Sequence, residues 1–268
     1  MTILQTTTPP EGLAARPQSP GIPTRRVLGT ELRKMFDTRA GFWMMASIVI
    51  TALLATGAVI AFAPDDELTY STFATAFGFP MAVILPVVAL LSVTSEWSQR
   101  SGLSTFTLVP HRGRVILAKA LVSVGVGVVS MLVAFGIGAL GNVAGSALAG
   151  VGTTWDASPA DLADIVLANV LGLLAGFTIG VLVRGSAGAV VAYFVYSLVL
   201  PPLAALLASS QAWFRDLQPW VDFNRAQSAL FEGSLSGQQW AQLAVTSALW
   251  LALPVAVGTW LVMRSEVT

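Results

Sequence analysis

The chain has 268 residues, 55% of them apolar and 10% charged, with a mean hydropathy of +0.75. A soluble domain carries about 25% Asp, Glu, Lys and Arg, so this chain cannot cover a water-facing surface, and an ordinary cytosolic enzyme is excluded. Fourteen bases against fourteen acids leave no basic footprint for nucleic acid, and the absence of cysteine removes disulfides, thiolate nucleophiles and Cys-ligated metals.

Residues 1–23 hold Pro9, Pro10, Pro17, Pro20 and Pro23 among Thr and Gln. They cannot bury a core and are expected to form a flexible cytoplasmic tail. Residues 24–41 predict an amphipathic helix lying in the membrane interface. Thr24 caps it, and Leu28, Leu32, Met35 and Phe36 share one face at helical spacing. Arg25, Arg26, Arg33 and Lys34 give it a basic side toward anionic headgroups.

Residues 42–268 carry six apolar runs long enough to cross about 30 Å of hydrocarbon. They lie at about 42–63, 73–94, 115–140, 165–183, 187–208 and 241–263. The runs hold one charge, Lys119, whose stem is expected to snorkel to the interface. None alternates apolar with polar, which excludes an outer-membrane barrel. The expected fold is therefore an all-α polytopic membrane protein with six transmembrane helices.

Details within the runs add expectations. Pro80 and Pro86 in the second and Pro254 in the sixth free backbone carbonyls and kink their helices. Gly172, Gly176 and Gly180 form two overlapping GxxxG patterns in the fourth, which predicts close packing against another helix without saying which. After the third run, Gly141, Gly145, Gly150 and Gly152 either lengthen its helix or form loose external structure. Residues 209–240 carry Trp213, Phe214, Trp220, Phe223, Phe231 and Trp240, and predict two short interfacial helices near 212–220 and 223–231.

The connections divide the charge. The segment before the first run, the second and fourth connections, the start of the third run and the C-terminal tail contain 12 of the 14 bases. The first, third and fifth connections hold only Arg215 and Arg225, but carry Asp65, Asp66, Glu67, Asp156, Asp161, Asp164, Asp216, Asp222 and Glu232. The Lys/Arg bias puts both termini in the cytoplasm, and an even number of spans agrees.

Several chemistries are missing. Lys34 and Lys119 are the only lysines, and the residues before them are Arg33 and Ala118, so there is no Walker A loop. The one histidine, His111, lies in a connection, and the runs hold no Asp or Glu, which excludes an intramembrane protease and an acid-coupled carrier. No metal site is expected. Asn142, Asn169, Tyr193 and Tyr196 are the notable polar groups at or near membrane depth. The chain is not expected to be an enzyme by itself, and energy for any transport must come from another subunit.

The second connection is the richest segment. Glu96 and Arg100 stand four apart, a favourable helical ion pair. Gly102 and Pro110 can end helices, and Leu103, Phe106, Leu108 and Val109 are apolar residues rimmed by charge, a pattern that suits a protein contact. The order Glu96, Gly102, Thr105, Thr107, Pro110, Arg112, Arg114 and Lys119 resembles the permease subunits of the ABC-2 type exporter family. So do the six spans, the basic helix with Glu31, Arg33 and Lys34, and the aromatic external excursion between the fifth and sixth runs.

The resemblance implies a half-transporter of a bacterial cytoplasmic membrane. Two permease copies, or two related ones, would pair with two copies of a separate ATPase that binds ATP and Mg, while this chain binds no cofactor. It implies that Glu96, Trp97, Arg100, Gly102, Phe106, Pro110, Arg112 and Arg114 couple to the ATPase. The second and fifth spans would line the path of an amphipathic or hydrophobic substrate, with Phe77, Phe79, Tyr193 and Tyr196 as candidate lining residues. Membrane lipid is the other expected partner. The alternative reading is a non-transporting membrane anchor or assembly subunit.

Overall fold

The structure is a computed structural model and describes residues 23–37, 39–98 and 112–264. Six of its helices are long and apolar enough to cross a membrane, and among the described residues the only β pairing is an isolated bridge between Thr69 and Thr154.

Helix α1 (Thr24–Phe36) is followed by α2 (Arg39–Phe62), the first span, so that span starts three residues earlier than the apolar run. The second span is divided. A short α3 (Tyr70–Ala76) leads through Phe77 into α4 (Gly78–Ser98), with Pro86 inside it. The third span is α5 (Arg112–Ala149), 38 residues long, so the glycine-rich stretch lengthens the helix. At 1.5 Å per residue it is about 57 Å long, well beyond the hydrocarbon thickness. Gly150, at φ +70°, ends it in a Schellman turn, with Val151 N–H donating to the Ser146 carbonyl at 3.0 Å.

The fourth span, α6 (Pro159–Val183), opens on a capping box in which Ser158 and Asp161 each accept the other's backbone N–H. The fifth span is α7 (Ser186–Phe194), a π turn (Val195–Val199) and α8 (Leu200–Ser210). The sixth is α11 (Gly237–Ser247), a π turn (Ala248–Ala252) and α12 (Leu253–Arg264). Each π turn stands just before a proline, Pro201 or Pro254. Proline cannot donate to the carbonyl four residues back, and the ladder there widens by one residue: Leu200 N–H reaches the Val195 carbonyl, and Leu253 N–H the Ala248 carbonyl. Between these spans lie α9 (Ala212–Val221) and α10 (Phe223–Ser228), the latter continued by a 3-10 turn to Phe231.

Spans two, three and four form the centre, around Phe77, Met81, Leu85, Met131, Phe135 and Phe177. The GxxxG glycines of α6 face α4. A Cβ on Gly176 would stand 2.7 Å from the Pro86 carbonyl carbon, and one on Gly180 3.1 Å from the Leu90 carbonyl oxygen. Only glycine admits backbone contact this close. Gly172 instead faces Gln227 of α10, whose Nε2 would stand 2.9 Å from an added Cβ.

One expectation needs correction, and it concerns how α1 meets the third span. Thr24 meets Arg114, Glu31 meets Lys119, and Met35 packs with Val122 and Val126, so α1 advances alongside the first turns of α5. Its buried stripe is Val27, Glu31 and Met35, while Leu32 and Phe36 are exposed. Lys119 does not snorkel. It is buried, and its ammonium binds the Glu31 carboxylate and donates to the Ser92 carbonyl at 3.2 Å. The pair explains the rotation of α1: a buried ammonium requires a counter-charge, whereas a leucine facing lipid tails costs nothing.

Candidate functional site

Pro86 organises the site. It has no N–H to give the Ala82 carbonyl, an acceptor that would otherwise close a helical turn. Tyr193 on α7 supplies the missing donor, with Oη 2.7 Å from the Ala82 oxygen. The kinked span two is thus fastened to span five by a side chain that is 3% exposed. In a medium without water such a substitution keeps the freed carbonyl satisfied.

Around this bond lies a cavity of about 130 Å³. Its polar lining comes from three elements: Tyr193 from α7, Tyr196 and Ser197 from the π turn, and Asn224 and Gln227 from α10, with Gly172 of α6 forming a bare wall. Tyr196 Oη and Ser197 Oγ are buried and complete no hydrogen bond among the described residues. The π turn has rotated these hydroxyls away from the regular helical register. The lining holds hydroxyls and amides and no charged side chain. Chemically, it can solvate a neutral polar group or water, and it cannot neutralise an ion.

The external helices complete the cavity. Asp222 caps α10 by accepting from Arg225 N–H at 3.2 Å and takes a second bond from Gln218 Nε2 at 3.0 Å. Helix α10 then packs Ala226 and Leu230 onto Ala168 of α6 and Leu243 of α11. This seats Gln227, whose Nε2 donates to the Ala168 carbonyl at 2.6 Å. Trp250, in the π turn of span six, donates to the Val221 carbonyl at 2.7 Å and stacks on Tyr196 at 5.7 Å between centroids. The two π turns therefore meet through an aromatic pair beside the cavity.

Of the expected path residues, Tyr193 and Tyr196 line this cavity. Phe77 does not. It is fully buried in the central core, against Gly138, because it sits at the break between α3 and α4 and turns inward to fill it. The Phe79 side chain lies outside the described residues. Gln227 and Asn224 are not among the expected site residues. The signal for Gln227 is a polar residue inside an apolar stripe, since Phe223, Ala226, Gln227 and Leu230 follow helical spacing, and Asn224 lies off that stripe.

The expected coupling residues divide likewise. Arg100, Gly102, Phe106 and Pro110 lie outside the described residues. Glu96 and Trp97 are on the last turn of α4 and Arg112 opens α5, with their side chains undescribed. Arg114 donates from Nη2 to Thr24 Oγ1 at 2.5 Å, which ties the end of the loop to the start of α1. Burial would raise the Glu31 carboxyl, but the adjacent Lys119 and Lys34 ammonium groups hold it below its ordinary range.

At the opposite face, the first and third connections are clasped together. Asp156 accepts from Ser71 N–H at 2.8 Å and from Ser71 Oγ at 2.7 Å, and Asn142 Nδ2 and Tyr70 N–H both donate to the Thr154 carbonyl. The Ser71 bonds outweigh a small burial penalty and keep the Asp156 carboxyl below its usual range. No metal-ligating cluster occurs among the described residues. No protein-family model matches the chain, and no curated protein matches its sequence.

Proposed function

We propose that the chain is the membrane permease subunit of an ATP-binding cassette exporter, driven by a separate ATPase that docks on residues 95–114. The observation that carries the reading is the fastening at the base of that loop. Arg114 holds α1, and Lys119 joins Glu31 of α1 to the Ser92 carbonyl of span two. A displacement of the loop is thereby passed to span two. Farther along that span, Pro86 bears on Gly176 and Ala82 is held by Tyr193 beside the polar cavity.

In this mechanism ATP and Mg bind the ATPase, which draws the loop and α1 toward itself. Span two moves relative to span five, and the cavity at Tyr193, Tyr196, Ser197 and Gln227 changes shape. A substrate with apolar bulk and a neutral polar end fits that chemistry. Both termini face the cytoplasm of a bacterial cell, and two copies of the permease enclose the path.

The test is co-expression with an ATP-binding cassette ATPase subunit from the same genome. The chain should co-purify with that ATPase and support ATP-dependent efflux, and deleting residues 101–109 should abolish both while the chain remains in the membrane. Efflux that survives the deletion would support the anchor reading instead, and transport by the pure chain without nucleotide would refute the proposal. A reporter at Asp66 should read as external and one at Arg112 as cytoplasmic.

A further inference from the structure

An apolar groove with a volume of about 670 Å³ lies between α1, span one and span three. Its size is within the range of small-molecule sites. Its walls include Leu32 and Phe36 of α1, Val49 of span one, and Leu121, Val129 and Val133 of span three, each 40% to 60% exposed. We infer that this groove is a binding site for one acyl chain of an anionic phospholipid, whose headgroup is held by Arg25 and Arg114.

Three observations carry the assignment. The first is a pair of glycines. Gly29 of α1 and Gly125 of span three both line the groove, and a Cβ on either would meet nothing within 4 Å. Glycine inside a helix is less stable than alanine, and packing explains many glycines of this bundle: Gly127 faces Leu173, Gly138 faces Phe77 and Gly176 faces Pro86. No protein contact explains Gly29 or Gly125. What they provide is depth, one from each wall.

The second is length. The groove follows α5 from Leu121 to Val133, about 18 Å at the helical rise, close to one leaflet of a bilayer whose core is about 30 Å thick. The third is charge. Arg25 continues the Gly29–Leu32–Phe36 stripe one turn toward the start of α1, and Arg114 continues the Leu121–Gly125 stripe two turns toward the start of α5. Both walls of an apolar slot thus end in a guanidinium at the same end, where Arg114 already meets Thr24. An apolar tail with an anionic head matches this sequence of surfaces. The inference requires only that the six helices stand in a bilayer, so it is independent of the transport reading.

The full chain is purified in mild detergent, exposed to mixed phosphatidylglycerol and phosphatidylcholine, and weighed by native mass spectrometry. The wild type should retain one phosphatidylglycerol per chain. Gly125→Phe, or Gly29→Leu from the opposite wall, should remove it without lowering the melting temperature, because each new side chain enters open space. Gly57→Phe, at a glycine that is equally open but outside the groove, should retain it. Arg25→Gln with Arg114→Gln should keep a lipid but lose preference for the anionic one, by about fivefold for each arginine, as about 1 kcal/mol per basic residue near an anionic surface implies. Retention in both groove-filling variants, or equal loss in Gly57→Phe, would overturn the assignment. So would a photo-crosslinker at Val129 that captures a second copy of the chain or its residues 1–22 in place of lipid.

Discussion

Replacing Tyr193 by phenylalanine removes one oxygen and nothing else, and the structure says what that oxygen does. It donates to a carbonyl that Pro86 has left without its helical partner, at 2.7 Å and in a site 3% exposed. Interhelical hydrogen bonds in membranes average only about 0.6 kcal/mol, because the separated helices find other donors. Here the acceptor has no alternative within its own helix, so the loss should lie nearer the cost of a buried unsatisfied group, about 1–2 kcal/mol. The control is Pro86→Ala, which restores an N–H to the Ala82 carbonyl. In that background Tyr193→Phe should cost no more than about 0.5 kcal/mol, leaving a coupling energy of about 1 kcal/mol in a double-mutant cycle. Reversible unfolding in mixed micelles measures all four proteins. Equal losses in the two backgrounds would refute the compensation argument.

Other changes test other joints. Gly176→Ala places a methyl group against the Pro86 backbone and should destabilise by about 1–3 kcal/mol as spans two and four separate, whereas Gly57→Ala, in open space, should be neutral or slightly stabilising in the same thermal assay. Glu31→Gln removes one carboxylate that binds the buried Lys119 and should destabilise the protein, most of the loss being recovered in Glu31→Leu with Lys119→Met. Because the Glu31 carboxyl is held below its ordinary value near 4.5, its contribution is fully present above that pH and is lost as pH falls through the lowered value; Glu31→Gln should flatten the acid limb of the stability curve. Asp156→Ala should free the start of α3 and increase hydrogen exchange at the Ser71 amide, and acid should act on the wild type in the same direction, since the Asp156 carboxyl is also held low.

Much of this architecture is written in one dimension. The bilayer demands about 20 apolar residues per crossing, so composition alone marks six spans, and their bounds depend on local signals such as the Ser158–Asp161 capping box. The two short helices after span five were equally legible, since Trp213 to Trp220 and Phe223 to Phe231 alternate faces at helical spacing. The glycines at 172, 176 and 180 announced a close contact. Only the folded chain shows that Gly176 and Gly180 receive span two while Gly172 receives Gln227, because a GxxxG stripe records the distance of approach and not the identity of the partner.

Pairings between distant residues are where sequence reading stops. Hydrophobic periodicity placed the apolar face of α1 on Leu28, Leu32, Met35 and Phe36. The structure buries Val27 and Glu31 beside Met35, because Lys119, 88 residues away, binds the Glu31 carboxylate. Phe77 looked like a path residue and became core, because a helix break turned it inward. Pro86 predicted a free carbonyl, and the fold decided that Tyr193 would satisfy it. In water a segment's own pattern determines most of what it buries. In a bilayer every outer face is already apolar, so the pattern says which residues enter the membrane, and the few polar atoms that must find one another decide how the helices turn.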